Sequence, residues 1–266
     1  MLIRVFAVII TLCWLGSLSW LGMTVWAPPE SRMAEVDRRE VYDVFFGWND
    51  STTMTLLEGG ARRGTMNISG GSGEDSETGE FTNTVSVSVA LENDSSSDPV
   101  PRLELFWKGT MEFSEKMDPG KGRISIRIPS KAITAHMELN GATKHVKARA
   151  VLGHEEIFSY DSEVAGSGPA LPGQFLAMSA GHVSQLLNPS EIKWEIEARK
   201  GTFSFGGRDL RAYLLIIRVP EQDQELKVYL SEAGEPLRIE SDLGFEAISE
   251  ILVPLDAYRK NKVDQP

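Results

Sequence analysis

Three evenly spaced histidines, His136, His145 and His154, are the residues of this chain best suited to metal chemistry. Asn140-Gly141, between the first two, is a two-residue hairpin signal, because both residue types tolerate the positive φ of a type I′ turn. Pairing across that turn predicts strands over 133–139 and 142–148. It sets His136 opposite His145, with Thr134, Glu138, Thr143 and Lys147 on the same polar face. Ile133, Ala135, Met137 and Leu139 then share the other face with Ala142, Val146 and Ala148. Two imidazoles on adjacent strands are zinc-ligand chemistry, but a catalytic zinc takes three protein ligands, and Glu138 is the one acid in reach. The expectation is a solvated hairpin face and no metal, with His136 and His145 as weak candidates. His154-Glu-Glu-Ile-Phe158 lacks the second histidine of a zinc-protease helix.

Nucleophile signals are poorer. Ser190-Glu-Ile-Lys193 matches a Ser-x-x-Lys string, but it follows Pro189 and enters an alternating strand pattern, without its companion motifs. Ser184 in Gly181-His-Val-Ser184-Gln185 lacks the second glycine of a nucleophile elbow, and Cys13 lies inside an apolar run. No phosphate loop or dinucleotide fingerprint is present. Glu92, Asp94 and Asp98 have no calcium-loop spacing and read as a solvated acidic loop. Asn49, Asn67 and Asn93 each start a glycosylation sequon, which matters only in a eukaryotic secretory setting. The expectation is no catalytic residues and no cofactor.

The aromatics fall into three groups: Phe45, Phe46 and Trp48; Phe106, Trp107 and Phe113; and Phe203, Phe205 and Tyr213. Aromatic side chains bury large areas, so core packing is their first use, and lining an apolar concave face is their second.

The elements that position these residues begin with a membrane segment. From Val5 to Trp26 the chain carries no charge, a length that as a helix crosses a hydrocarbon core of roughly 30 Å. Trp20 and Trp26 suit an interfacial belt, and Pro28-Pro29 would hinder cleavage after Val25-Trp26-Ala27. The expectation is an uncleaved single-pass anchor over 1–27, a charged linker over 28–40, an extracytoplasmic domain over 41–258 and a tail over 259–266. A cleaved signal, leaving a secreted or periplasmic protein, is the alternative.

The whole chain has 27 basic and 38 acidic residues, a net charge of −11. That excludes nucleic acid as a partner, since binding phosphates needs a basic surface. The remaining sequence is strand-like. Val85, Val87, Val89 and Leu91 alternate with polar or small residues, as do Leu103, Leu105 and Trp107, Ile124, Ile126 and Ile128, and Ile192, Trp194 and Ile196. The nearly unbroken apolar run from Tyr213 to Val219 predicts a strand covered on both faces. One short helix is expected between Pro172 and Pro189. The fold class is mainly β, an antiparallel curved sheet, half-barrel or sandwich.

Leu187-Asn-Pro-Ser190, the stretch from Leu226 to Glu240 with its Glu232-Ala-Gly-Glu-Pro-Leu237 turn, and Leu243-Gly-Phe245 resemble β-rich extracytoplasmic domains of bacterial envelope proteins. Such domains occur ahead of transglutaminase-like domains. A looser likeness is to the half-barrel of periplasmic lipoprotein carriers, in which a curved sheet wraps a helix and holds acyl chains. The resemblance covers 171–254 and implies a cell-envelope setting. Together the expectations describe a non-enzymatic binding module for an envelope protein or an apolar lipid or acyl ligand. The alternative is a carboxylate-dependent hydrolase.

Overall fold

The computed structural model describes residues 14, 17, 29–74, 79–93, 102–163, 195–205, 208–220 and 223–252. Among the described residues no helix is long and apolar enough to cross a membrane. The expected anchor over 1–27 lies outside them apart from residues 14 and 17, and the helix expected between Pro172 and Pro189 lies wholly outside.

The described body is one antiparallel open sheet with a single α-helix. A 3-10 turn at Pro29–Arg32 leads into β1 (Ala34–Glu35) and then α1 (Arg38–Trp48). Eight strands follow as consecutive hairpins: β2 (Asp50–Glu58), β3 (Ala61–Glu74), β4 (Phe81–Asn93), β5 (Arg102–Ser114), β6 (Pro119–Ile128), β7 (Ile133–Asn140), β8 (His145–Leu152) and β9 (Glu155–Asp161). A second run comprises β10 (Glu195–Phe205), β11 (Arg208–Val219), β12 (Gln224–Ser231), β13 (Pro236–Ser241) and β14 (Phe245–Ser249). The last strand, β14, pairs with β2 and joins both runs, giving the order β1-β10-β11-β12-β13-β14-β2-β3-β4-β5-β6-β7-β8-β9.

Helix α1 stands where strands were expected to begin. Its sequence from Val41 to Phe46 is rich in β-branched and aromatic residues, which favour strands locally. Two features override that preference. The Asp37 side chain accepts from the Arg39 N–H at 2.9 Å and caps the first turn. Val41, Val44, Phe45 and Trp48 recur at i, i+3, i+4 and i+7, one face of a helix. Asn49 then ends it with φ 50°.

The stretch 28–40, expected as a spacer, is in its described part built into the sheet. Met33 packs with Phe203, Leu214, Tyr229 and Leu237 on one face of β10–β13. β1 pairs along the edge of β10. Val41 packs with Ala198, Tyr213 and Leu230, and the half-buried Val36 joins them. The chain thus wraps the β10 edge from one face to the other. The apolar residues that do this, Met33 and Val36, stand singly among charges. β11 is covered on both sides as its composition predicts: Leu214 is fully buried on one face and Tyr213 is 4% exposed on the other.

The helix touches β10 and β11 on one side and β3 and β4 on the other. Four strands separate β11 from β3 in the sheet order. The helix thus packs on both runs of strands. Close approach is built in: a Cβ on Gly70 would lie 2.7 Å from the Phe45 ring.

Candidate functional site

The face of the sheet that carries α1 continues beyond it. Register places Val85, Val87 and Val89 of β4 beside Met111, Gly109 and Trp107 of β5. Ile124 and Ile126 of β6 follow, then Met137 and Ala135 of β7, Ala148 and Ala150 of β8, and Tyr160 and Phe158 of β9. The link from α1 to β5 is the Phe46 ring, 6.2 Å from that of Phe113. Farther along, this face is half-buried, with Gly122 and Val146 its buried members among the described residues of β6–β9. Phe81 and Leu152, at its margins, are 56% and 45% exposed. Gly109 makes the floor flat: a Cβ there would come within 2.9 Å of the Trp107 ring, which lies across it. The opposite face of β6–β8 is polar, with Arg123, Arg127, His136, Glu138, Lys147 and Arg149.

The hairpin of β7 and β8 differs from the predicted one. Its loop holds four residues, so Asn140 pairs with His145, and His136 pairs with Arg149 rather than His145. The Asn140 side chain causes this: its Oδ1 accepts from the N–H groups of Ala142 at 3.1 Å and Thr143 at 3.3 Å. Positive φ falls on Lys144, at 56°. His136 and His145 share the polar face but stand four residues apart along it, roughly 13 Å at strand rise. They form no pair. The apolar set keeps its face, with Ile133, Ala135, Met137 and Leu139 opposite Leu152, Ala150, Ala148 and Val146, while Ala142 and Lys144 move into the loop.

Gly141 is needed for space rather than for φ. Its N–H donates to the Gly120 carbonyl at 2.7 Å, and a Cβ would press on the Pro119 carbonyl. Gly141→Val is expected to cost about 2 kcal/mol by overpacking, read as a lower urea midpoint. Lys144→Gly relieves the left-handed residue and should cost nothing measurable; a loss equal to that of Gly141→Val would restore the two-residue turn.

His145 finds partners that sequence spacing did not supply. Its Nε2 lies 2.6 Å from Asp161 Oδ1 and its Nδ1 3.5 Å from Glu163 Oε1. Lys147 Nζ is 3.6 Å from Asp161 Oδ2. The hydrogen bond to His145, then that from the Glu163 N–H, holds the Asp161 carboxyl below its usual range, against a smaller effect of burial. Asp161 arrives because β9 folds back on β8 and sets it opposite Lys147. Bare alternation marks the strand but not which acid crosses to which histidine.

Glu197 and Glu240 are held in ion pairs. Glu35, Glu195 and Glu197 line an open hollow of about 480 Å³ at the β10 edge with Arg38 and Arg218. Burial raises the Glu197 pKa, but hydrogen bonds from Arg199 and Arg218 outweigh it and the net shift is downward. A carboxylate so held is a poor general acid. Burial pushes Glu240 upward, opposed by Arg238 and Lys227. Tyr229 is raised by burial and then by Glu240, and its hydroxyl donates to Glu30 Oε1 at 3.0 Å. Glu92 pairs with Arg62 at 3.2 Å. Cys13, Asp94, Asp98, Ser184, Ser190 and Lys193 lie outside the described residues.

The described aromatics pack in the core and on the sheet face. Phe45 packs edge-on to Phe46 at 5.1 Å, and Phe203 lies 4.6 Å from Tyr229 in the core. Trp107 lies on the half-buried face.

No protein-family model matches the chain, and no curated protein matches it. Among solved structures, the Bacillus megaterium YpeB C-terminal domain is similar at 8% identity, over 78% of this chain and 98% of its own, with a TM-score of 0.16. A likeness at that level carries no argument about fold or function.

Proposed function

We propose that this chain is a membrane-anchored, extracytoplasmic β domain that binds an apolar ligand, an acyl chain or lipid, without catalysing a reaction on it. The observation that carries the reading is the apolar face of β5–β9, which runs on from the helix-covered core with its side chains half-buried. Largely apolar surfaces with few polar groups are the usual form of such sites. A sheet that carries a helix on one face supports the half-barrel likeness of residues 171–254. The uncharged run from Val5 to Trp26 supports the anchor. Glu197 and Glu92, both held in ion pairs, are poorly suited to serve as the acid of a carboxylate-dependent hydrolase.

The test is binding of a fatty acid brominated along its chain to the detergent-solubilised full-length protein, read by quenching of tryptophan fluorescence. Wild type should quench saturably. Ile126→Lys with Met137→Lys, placed on that face, should weaken binding by about tenfold or more, since an apolar site loses ≳1.4 kcal/mol when charges enter it. Saturable capture of an envelope protein with no fatty-acid binding would replace the apolar ligand by a protein partner. Equal quenching of wild type and the double variant would remove the face from the mechanism.

A further inference from the structure

His145, Asp161 and Glu163 meet on the polar side of the sheet, where β8 begins and β9 ends. Their ligand atoms all lie within 4.8 Å of one another. The backbone fixes the arrangement. The Ser162 N–H donates to the Val146 carbonyl at 3.0 Å, the Val146 N–H donates to Ser162 Oγ at 3.0 Å, and the Glu163 N–H donates to Asp161 Oδ1 at 3.0 Å. The segment carrying both acids is thereby pinned beside the histidine.

Each ring nitrogen faces a carboxylate oxygen. A ring proton holds a carboxylate beside an imidazole nitrogen, and a metal ion that binds the imidazole takes that proton's place. Lys147 approaches Oδ2 of Asp161, the oxygen turned away from the Nε2 contact. Side-chain exposure rises from 15% at His145 through 28% at Asp161 to 67% at Glu163.

We propose that these three residues bind a divalent transition-metal ion, His145 through a ring nitrogen and Asp161 and Glu163 through carboxylate oxygens, with water completing the shell. One imidazole with two carboxylates suits zinc or manganese, whereas calcium takes oxygen ligands alone. The ion replaces the direct His145–Asp161 hydrogen bond, and the exposed Glu163 side chain closes over it. His145 also lines an open hollow of about 200 Å³ with Lys121, Arg123, Glu138 and Lys147. Its bases leave room for water or an anion at the remaining positions of the ion.

The experiment is isothermal titration of the chelator-stripped, detergent-solubilised full-length chain with zinc chloride near neutral pH, repeated with calcium chloride. One zinc per chain should bind, and calcium should not compete. His145→Ala and Glu163→Gln should each weaken zinc binding by about tenfold or more, the lower end of what even outer-shell partners of a metal cost. His136→Ala should bind as wild type, because His136 faces Arg149 instead. Cobalt(II) should give a visible absorption band that His145→Ala abolishes. Absence of saturable zinc binding in the wild type, or wild-type binding by His145→Ala, would overturn the site. Neither result bears on the apolar face, which lies on the other side of the sheet.

Discussion

Val41→Asp is expected to detach α1 and to destabilise the protein by about 4 kcal/mol, the range reached when an unpaired charge enters a core. Val41 is 1% exposed, against Ala198, Tyr213 and Leu230. An aspartate there has two options. It stays ionised without a partner, or it takes up a proton and still leaves polar oxygens against apolar neighbours. Glu40, one residue away, already uses the local cation: its Oε1 accepts from Lys200 Nζ and from the Tyr213 hydroxyl, each at 2.9 Å. Urea unfolding followed by fluorescence should show a much lower midpoint. A conservative Val41→Ile at the same site should move it little. A midpoint for Val41→Asp within experimental error of wild type would mean that the helix is not packed as described.

Gly234→Val is expected to cost roughly 3 kcal/mol, through strain at positive φ together with overpacking. Gly234 sits in the β12–β13 turn with φ 93°. A Cβ there would press on the Val44 carbonyl oxygen and come within 2.9 Å of Trp48 Cβ. Both obstacles belong to α1, one of them backbone, so neither yields by a rotamer change. The turn is also held by its own bonds, Gly234 N–H to the Ser231 carbonyl at 3.0 Å and Glu235 N–H to Ser231 Oγ at 3.1 Å. Gly234→Ala should show most of the loss, because the first carbon makes the clash. Thermal unfolding of the three proteins side by side measures it. An alanine variant as stable as wild type would show that the helix can slide off the turn.

Both substitutions probe the place where the chain closes on itself, and neither could have been chosen from local sequence. Residues 38–48 carried a helical cap and helical spacing, yet β-branched and aromatic residues at Val41, Val44, Phe45 and Phe46 favour strands just as strongly. The balance tips only because the sheet offers that face a surface to bury against.

The strands themselves were legible. Alternation at Val85–Val89 or Ile124–Ile128 is a property of neighbours in sequence, since successive side chains of a strand point to opposite faces. The same holds for the doubly covered β11, whose unbroken apolar run needs no partner to be read. Which face is apolar also survived at the β7–β8 hairpin, because the loop grew by two residues, an even number, and side chains repeat every two.

Register and partnership were not legible. Asn140 chose the loop length by bonding two N–H groups of the turn, and that choice slid His145 away from His136. Asp161 and Glu163 reach His145 only through the next hairpin. The pairing of β14 with β2 joins segments nearly the length of the described body apart. By itself the sequence determined an acidic, strand-rich chain with an uncharged N-terminal run, alternating strands and one strand apolar on both faces, because composition and period-two patterning are local. Only the tertiary structure decided where the helix sits, which part of the apolar face it covers and which acids surround His145. Those depend on contacts between residues far apart in the chain, whose energies no short stretch contains.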